Sequence, residues 1–156
     1  MGVTNFDEYR DVFVVADTID DVVHPVTYEL IGQARRIAKE LGQLVQVMLL
    51  GENVQSEAEE LVAHGADIVH VFESPLLKYY TTDGYTKVLT DFFEDHKPNI
   101  LLIGATNNGR DLAPRMSGRM KNGVVADCTI LTVDTEEGLE VAKYINRFWR
   151  EGLIDP

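Results

Sequence analysis

Eight consecutive residues, Gly104-Ala105-Thr106-Asn107-Asn108-Gly109-Arg110-Asp111, bring together two glycines, three small polar side chains and one arginine. They lie between an apolar run, Ile100 to Ala105, that reads as a strand and a helix-like stretch, Arg110 to Lys121. Backbone N–H groups at such a helix start can hold an anion, and Arg110 can fork onto a carboxylate or a phosphate. Thr106, Asn107, Asn108, Gly109 and Arg110 are therefore the candidate ligand-binding residues. The same residue types suit a plain strand-to-helix turn, because Asn and Gly accept left-handed backbone and Thr and Asn cap helices. Neither a G-x-G-x-x-G nor a P-loop ending in GK[ST] is present, so spacing alone leaves a ligand loop and a structural turn both open.

A second loop, after the run Val12 to Ala16, carries Asp17, Thr18, Asp20 and Asp21. Its negative charge at the mouth of any crevice would repel a phosphate. The four histidines, His24, His64, His70 and His96, fall on different elements with no i, i+4 pair and no cysteine partner, which argues against a zinc site. Each reads as a surface or helix-end residue. Cys128 stands beside Asp127 within a probable strand and reads as a small buried hydrophobe rather than a reactive thiol. Glu57, Glu59 and Glu60 suit a solvated helix face. No nucleophile with an attendant base can be assembled, so no catalytic residue is assigned.

The elements that must position these loops follow from the hydrophobic pattern. The chain has 156 residues, 45% hydrophobic and 26% charged, the make-up of one globular domain. With 14 Lys plus Arg against 26 Asp plus Glu the formal charge is −12, which disfavours nucleic acid and anionic membrane as partners. A single cysteine and no long apolar run argue for a cytoplasmic protein without membrane insertion. Residues 1–11 read as a polar leader. Short apolar strands at Val12–Ala16, Leu44–Leu50, Asp67–Phe72, Ile100–Ala105 and Val124–Val133 alternate with helices at Pro25–Leu41, Ser56–His64, around Tyr85–Phe93 and at Arg110–Lys121. Pro114 is placed in the first turn of the last of these, where proline is tolerated. Strand and helix in this alternation predict an α/β, doubly wound parallel sheet with helices on both faces. The tail, residues 140–156, carries a helical stripe of Val141, Tyr144, Ile145, Phe148 and Trp149. That stripe suits burial in the domain's own core, and a homo-oligomer if it stays exposed.

The segments HPVTYELIGQARRIAKELG at 24–42, LLGENV at 49–54, HGAD at 64–67, YTTDGYTKVL at 80–89, KPNILLIGATNNGRDLAPRMSGRM at 97–120 and VADCTIL at 125–131 together resemble the N-terminal domain of the electron transfer flavoprotein α subunit. The likeness runs in order from Val12 to Val133. It implies a Rossmann-like domain of the adenine nucleotide α-hydrolase-like class, paired with a β subunit of similar fold. The family's complex accepts electrons from flavin dehydrogenases onto FAD and passes them on, so the subunit is an electron carrier and not an enzyme. FAD is held there chiefly by a second, C-terminal domain of the α subunit together with the β subunit, and the α N-terminal domain serves as a platform. Two departures bear on the carry-over. Beyond Val133 the family continues with a strand carrying an RPAFGGN-like segment and then the FAD domain, whereas this sequence reads VAKYINRFWREGLIDP. The expectation is a chain, truncated or naturally short, that does not retain FAD alone. Universal stress proteins, nucleotide-binding cousins of this fold, space their glycines as G-x2-G-x9-G[ST]. Here Gly104, Gly109 and Gly118 are separated by four and by eight residues, with Arg119 following. That weakens the alternative of a stand-alone AMP or ATP sensor acting through Thr106 to Arg110.

Overall fold

A computed structural model of the chain describes residues 9–121. Four strands form one parallel sheet: β1 (Val12–Val15), β4 (Val45–Gly51), β5 (Ile68–Glu73) and β6 (Ile100–Ile103), in the order β5-β4-β1-β6. Val12 pairs with Val45 on one side and with Ile100 on the other. All four residues of β1 are buried, as expected of a strand covered on both faces.

The two-residue alternation of side chains splits the core. Val12, Val14, Val45, Val47 and Leu49 pack with Ile31, Ala34 and Ile37 of α1 (Val26–Leu41) and Leu61 of α2 (Ala58–Ala63). Phe13, Val15, Met48 and Leu50 pack with Tyr85, Leu89 and Phe93 of α3 (Thr82–Asp95) and with Leu112 and Met116 of α4 (Asn107–Met120). The doubly wound α/β, Rossmann-like architecture is as the alternating pattern predicts. Helix α1 follows Pro25 and ends at Gly42, whose φ of 65° is the left-handed C-cap that glycine adopts freely.

Several local expectations are corrected. The acidic loop after β1 is a hairpin, β2 (Thr18–Ile19) against β3 (Val22–Val23), turned by Asp20 and Asp21 at φ 51° and 62°. Two successive left-handed residues make a primed turn, and aspartate tolerates that conformation better than most. The helix around residues 56–64 opens as a 3-10 turn, Gln55–Glu57, before α2. Helix α4 begins at Asn107, earlier than Arg110, because the Thr106 hydroxyl accepts the Gly109 N–H at 3.1 Å and caps it there. Pro114 consequently lies inside α4 and not in its first turn. Asp11 is no leader residue: its carboxylate accepts the Leu44 N–H at 2.9 Å and the Gln46 side-chain amide at 2.7 Å, and its carbonyl accepts the Asn99 N–H at 3.1 Å. It thus fastens the amino ends of β4 and β6 beside β1.

The histidines divide three to one. His24 accepts the Val26 N–H at 3.0 Å through Nδ1, and His64 and His96 cap the C-termini of α2 and α3. His70 departs from the surface expectation, since it is half-buried in β5 with its Nε2 2.6 Å from Gln46 Oε1 and its ring against Phe92. Burial, and then the neighbouring His96, lower its pKa below the ordinary histidine value. The expected strand at 124–133, Cys128 and the 140–156 tail with Trp149 lie outside the described residues.

Gly32 and Gly118 occupy exposed helical positions where an added Cβ meets nothing within 4 Å. Gly32→Ala and Gly118→Ala are each expected to raise stability by roughly 0.5–1 kcal/mol, because alanine loses less backbone freedom on folding. Urea unfolding of the two variants checks this, and a lower midpoint in both would contradict the packing described.

Candidate functional site

The chain leaves β1 for β4 and β5 on one side of the sheet and returns to β6 on the other. The strand order therefore reverses between β1 and β6, and the crevice beyond their carboxyl ends is where ligands of open α/β sheets bind. That crevice is present. Asp17 and Thr18 follow β1, Gly104, Thr106, Asn108 and Gly109 follow β6, and Tyr80 and Tyr85 close it from the α3 side. Its volume is about 330 Å³ when the open mouth is included, and the enclosed part has room for a water molecule or two.

Of the five candidate ligand residues, the structure brings Thr106, Asn108 and Gly109 to the crevice; Asn107 and Arg110 are exposed and do not line it. Arg110 turns back along its own loop, where its Nε donates to the Ala105 carbonyl at 3.2 Å. The glycine is accounted for by packing. A Cβ on Gly109 would sit 1.8 Å from the Gly104 carbonyl oxygen, so the first turn of α4 lies directly on the end of β6. The Thr106 hydroxyl is committed to its cap.

The acidic mouth is also smaller than the sequence suggests. Asp17 lines the crevice, and its Oδ2 is buried with no hydrogen-bond partner among the described residues. Asp20 sits exposed at the hairpin tip. The Asp21 carboxylate instead accepts the Glu52 N–H at 2.9 Å and the Asn53 N–H at 3.1 Å, which latches the hairpin to the loop after β4.

Of two further lining residues, Tyr85 reads in the sequence as part of a helical stripe and Tyr80 only within the segment YTTDGYTKVL that carries the family resemblance. The Tyr80 hydroxyl donates to Asp111 at 2.7 Å, and the Thr82 hydroxyl bonds the same carboxylate oxygen. Burial and the bond to Asp111 push Tyr80 up to about 12. The Thr82 and Tyr80 donors hold the Asp111 carboxyl below the ordinary carboxylate value. Tyr85 is raised by burial, with Asp21 and Asp17 nearby adding to it, and its hydroxyl donates to the Leu77 carbonyl at 2.7 Å. The two rings meet edge-on with centroids 5.1 Å apart. The signal available in the sequence was the Tyr80-Thr81-Thr82 run just ahead of a helix, which reads equally well as ordinary capping.

Chemically, no lysine or arginine among the described residues lines the crevice, and the one charged side chain among its described lining is a carboxylate. That lining offers no cation to a phosphate, so the described residues do not make a phosphate cradle for FAD or a free nucleotide. Among the described residues no group of three or more His, Cys, Asp or Glu side chains could hold a metal ion, and no helix is long and apolar enough to cross a membrane.

Comparison with known proteins gives a family. The model of the electron transfer flavoprotein domain matches residues 12–148. The chain is 45% identical over 130 residues to an electron transfer flavoprotein subunit alpha of Megasphaera elsdenii, covering 83% of this chain and 38% of the relative. It is 47% identical over 123 residues to the LctC subunit of lactate dehydrogenase (NAD(+),ferredoxin) of Acetobacterium woodii, covering 79% and 29%. To the acryloyl-CoA reductase electron transfer subunit beta of Anaerotignum propionicum it is 43% identical over 130 residues, covering 83% and 35%.

Two outcomes are expected. Gly109→Ala must push α4 off the end of β6 and should cost roughly 1–3 kcal/mol in urea unfolding, as overpacking does; a neutral result would mean that contact is loose. Because Tyr80 is neutral in the fold up to about 12, its contribution to stability is complete below the ordinary tyrosine value near 10 and is lost as pH rises through 12. Tyr80→Phe should flatten the fall in unfolding midpoint over that alkaline range. Tyr85, also raised, leaves part of the slope in place.

Proposed function

We propose, from the premise that the chain belongs to the electron transfer flavoprotein domain family, that it is an α-subunit-type platform in a FAD-dependent electron-transfer complex. It docks a β-type subunit and carries no catalytic residue of its own. The chain spans 29–40% of the length of the curated relatives it matches, so this role concerns the platform alone. The observation that supports it is the crevice at the switch point, whose described lining holds no cation. There the first turn of α4 packs on β6, Tyr80 and Tyr85 close the α3 side, and a carboxylate supplies the charge. A domain so built contributes surface and rigidity rather than a cofactor cradle. FAD is held elsewhere in the complex, and electrons reach it from flavin dehydrogenases through that complex.

The stand-alone AMP or ATP sensor has no observation in its favour, because Arg110 lies outside the crevice and no other described cation lines it. Thr106 caps α4 and Gly109 packs it on the end of β6, while Asn108 lines the crevice.

The test is reconstitution. The purified 156-residue chain should be colourless and give no heat with AMP, ATP or NADH, and it should form a 1:1 complex with the β-type subunit of its own organism on size exclusion with light scattering. Stoichiometric flavin released from the chain alone on denaturation would overturn the platform role. So would nucleotide binding that Arg110→Ala abolishes.

A further inference from the structure

We infer that the carboxyl-end rim of the sheet, formed by the β2–β3 hairpin and the 3-10 turn Pro75–Leu77, is the surface on which the polypeptide partner docks. That partner presents apolar side chains ringed by lysine or arginine. This rests on the platform role above and adds where contact is made and with what chemistry.

Four large apolar side chains stand out from this rim: Leu76 is 84% exposed, Tyr79 66%, Val22 59% and Ile19 58%. They stand on the same rim, where a single hydroxyl joins the two segments. Tyr85 donates to the Leu77 carbonyl at 2.7 Å and lies beside the Thr18 hydroxyl, so the neighbours Leu76 and Ile19 flank it. A second chain of contacts runs from Lys78, 3.6 Å from the Glu52 carboxylate, to the Glu52 N–H, 2.9 Å from Asp21, which lies between Ile19 and Val22 in the hairpin. Isolated exposed apolar residues are ordinary, but several gathered on one rim mark an interaction surface.

Charge selects the occupant. Asp20, Asp21, Glu52 and Glu73 lie on the same rim, and Lys78, which Glu52 already engages, is the basic residue beside them among the described residues. The chain as a whole carries −12. Two copies meeting through this face would bring like charges together, whereas a basic partner gains from the same field. The hairpin is also held rigid, since Asp21 fastens it to the loop after β4 and the Val23 N–H donates to the Glu57 carboxylate at 3.2 Å. A preformed surface loses little freedom on binding.

Isothermal titration of the full 156-residue chain against the β-type subunit tests this with the double variant Ile19→Ser/Leu76→Ser. Leu44→Ser and Val62→Ser, exposed elsewhere on the fold, serve as controls. The double variant should bind about tenfold more weakly or worse, with an unchanged urea midpoint showing that it is folded, and the controls should bind within about twofold of the parent. Binding by the parent should weaken as salt rises, and Asp20→Lys should reduce that salt dependence. Parent binding that the double variant leaves unchanged overturns this surface while the platform role stands. No binding by the parent chain overturns the platform role and the occupant named here with it. A dimer of the chain alone in sedimentation, lost in the double variant, would make a second copy the occupant and refute a basic partner.

Discussion

Parallel pairing of β1 on both of its edges is the constraint on which the molecule depends. A strand hydrogen-bonded to β4 on one side and β6 on the other can be stable only if both its faces are covered, so Val12 to Val15 must all be apolar. Parallel neighbours also require long crossovers, and right-handed crossovers to opposite sides of β1 place α1 and α2 on one face and α3 and α4 on the other. The same reversal opens the crevice between β1 and β6. Function in this domain is then decided by how that one opening is filled.

Here the chain itself shapes it. Gly109 lets α4 begin in contact with the end of β6, and the Tyr80–Asp111 bond ties the segment before α3 to α4 across the top. The glycines that look like a phosphate loop in the sequence are accounted for by packing, Gly109 on the Gly104 carbonyl and Gly104 against Val26 of α1.

The strands and helices were legible because their signals are local. The buried run of β1, the three- and four-residue steps of α1 with Gly42 behind it, and the stripe Tyr85, Leu89, Phe93 each declare an element without reference to the rest. What was not legible depended on contacts between distant segments. The Asp20-Asp21 turn resembles an acidic loop until its carboxylate is seen bonded to residues 52 and 53. The early start of α4 depends on which of Thr106, Asn107 and Asn108 caps it, and all three residue types cap well. His70 looked like its siblings because nothing in its neighbourhood in sequence announces that Gln46, 24 positions away, will meet its ring. Of the loop candidates, the pattern located the right end of the sheet but could not tell Thr106, Asn108 and Gly109, which line the crevice, from Asn107 and Arg110, which do not.

The acidic composition acquires a structural meaning from the same contacts. Asp11, Asp21, Glu57, Asp67 and Glu73 each accept a backbone N–H at 2.8–3.2 Å from residues 44, 52 and 53, 23, 45 and 54 respectively. Carboxylates bonded to backbone N–H groups make the stronger, charge-assisted kind of hydrogen bond. These five sit at loop starts and strand ends, where orphan donors would otherwise face solvent or go unpaired. Much of the excess negative charge is therefore spent on fixing loop geometry, which is why the fold tolerates it. The field these groups create still reaches outward, at the carboxyl end of the sheet from Asp21, Glu57 and Glu73 and at the amino end from Asp11 and Asp67. A charge pattern imposed by the need to hold loops is also the pattern a partner meets, so the electrostatics of recognition follow from the electrostatics of folding.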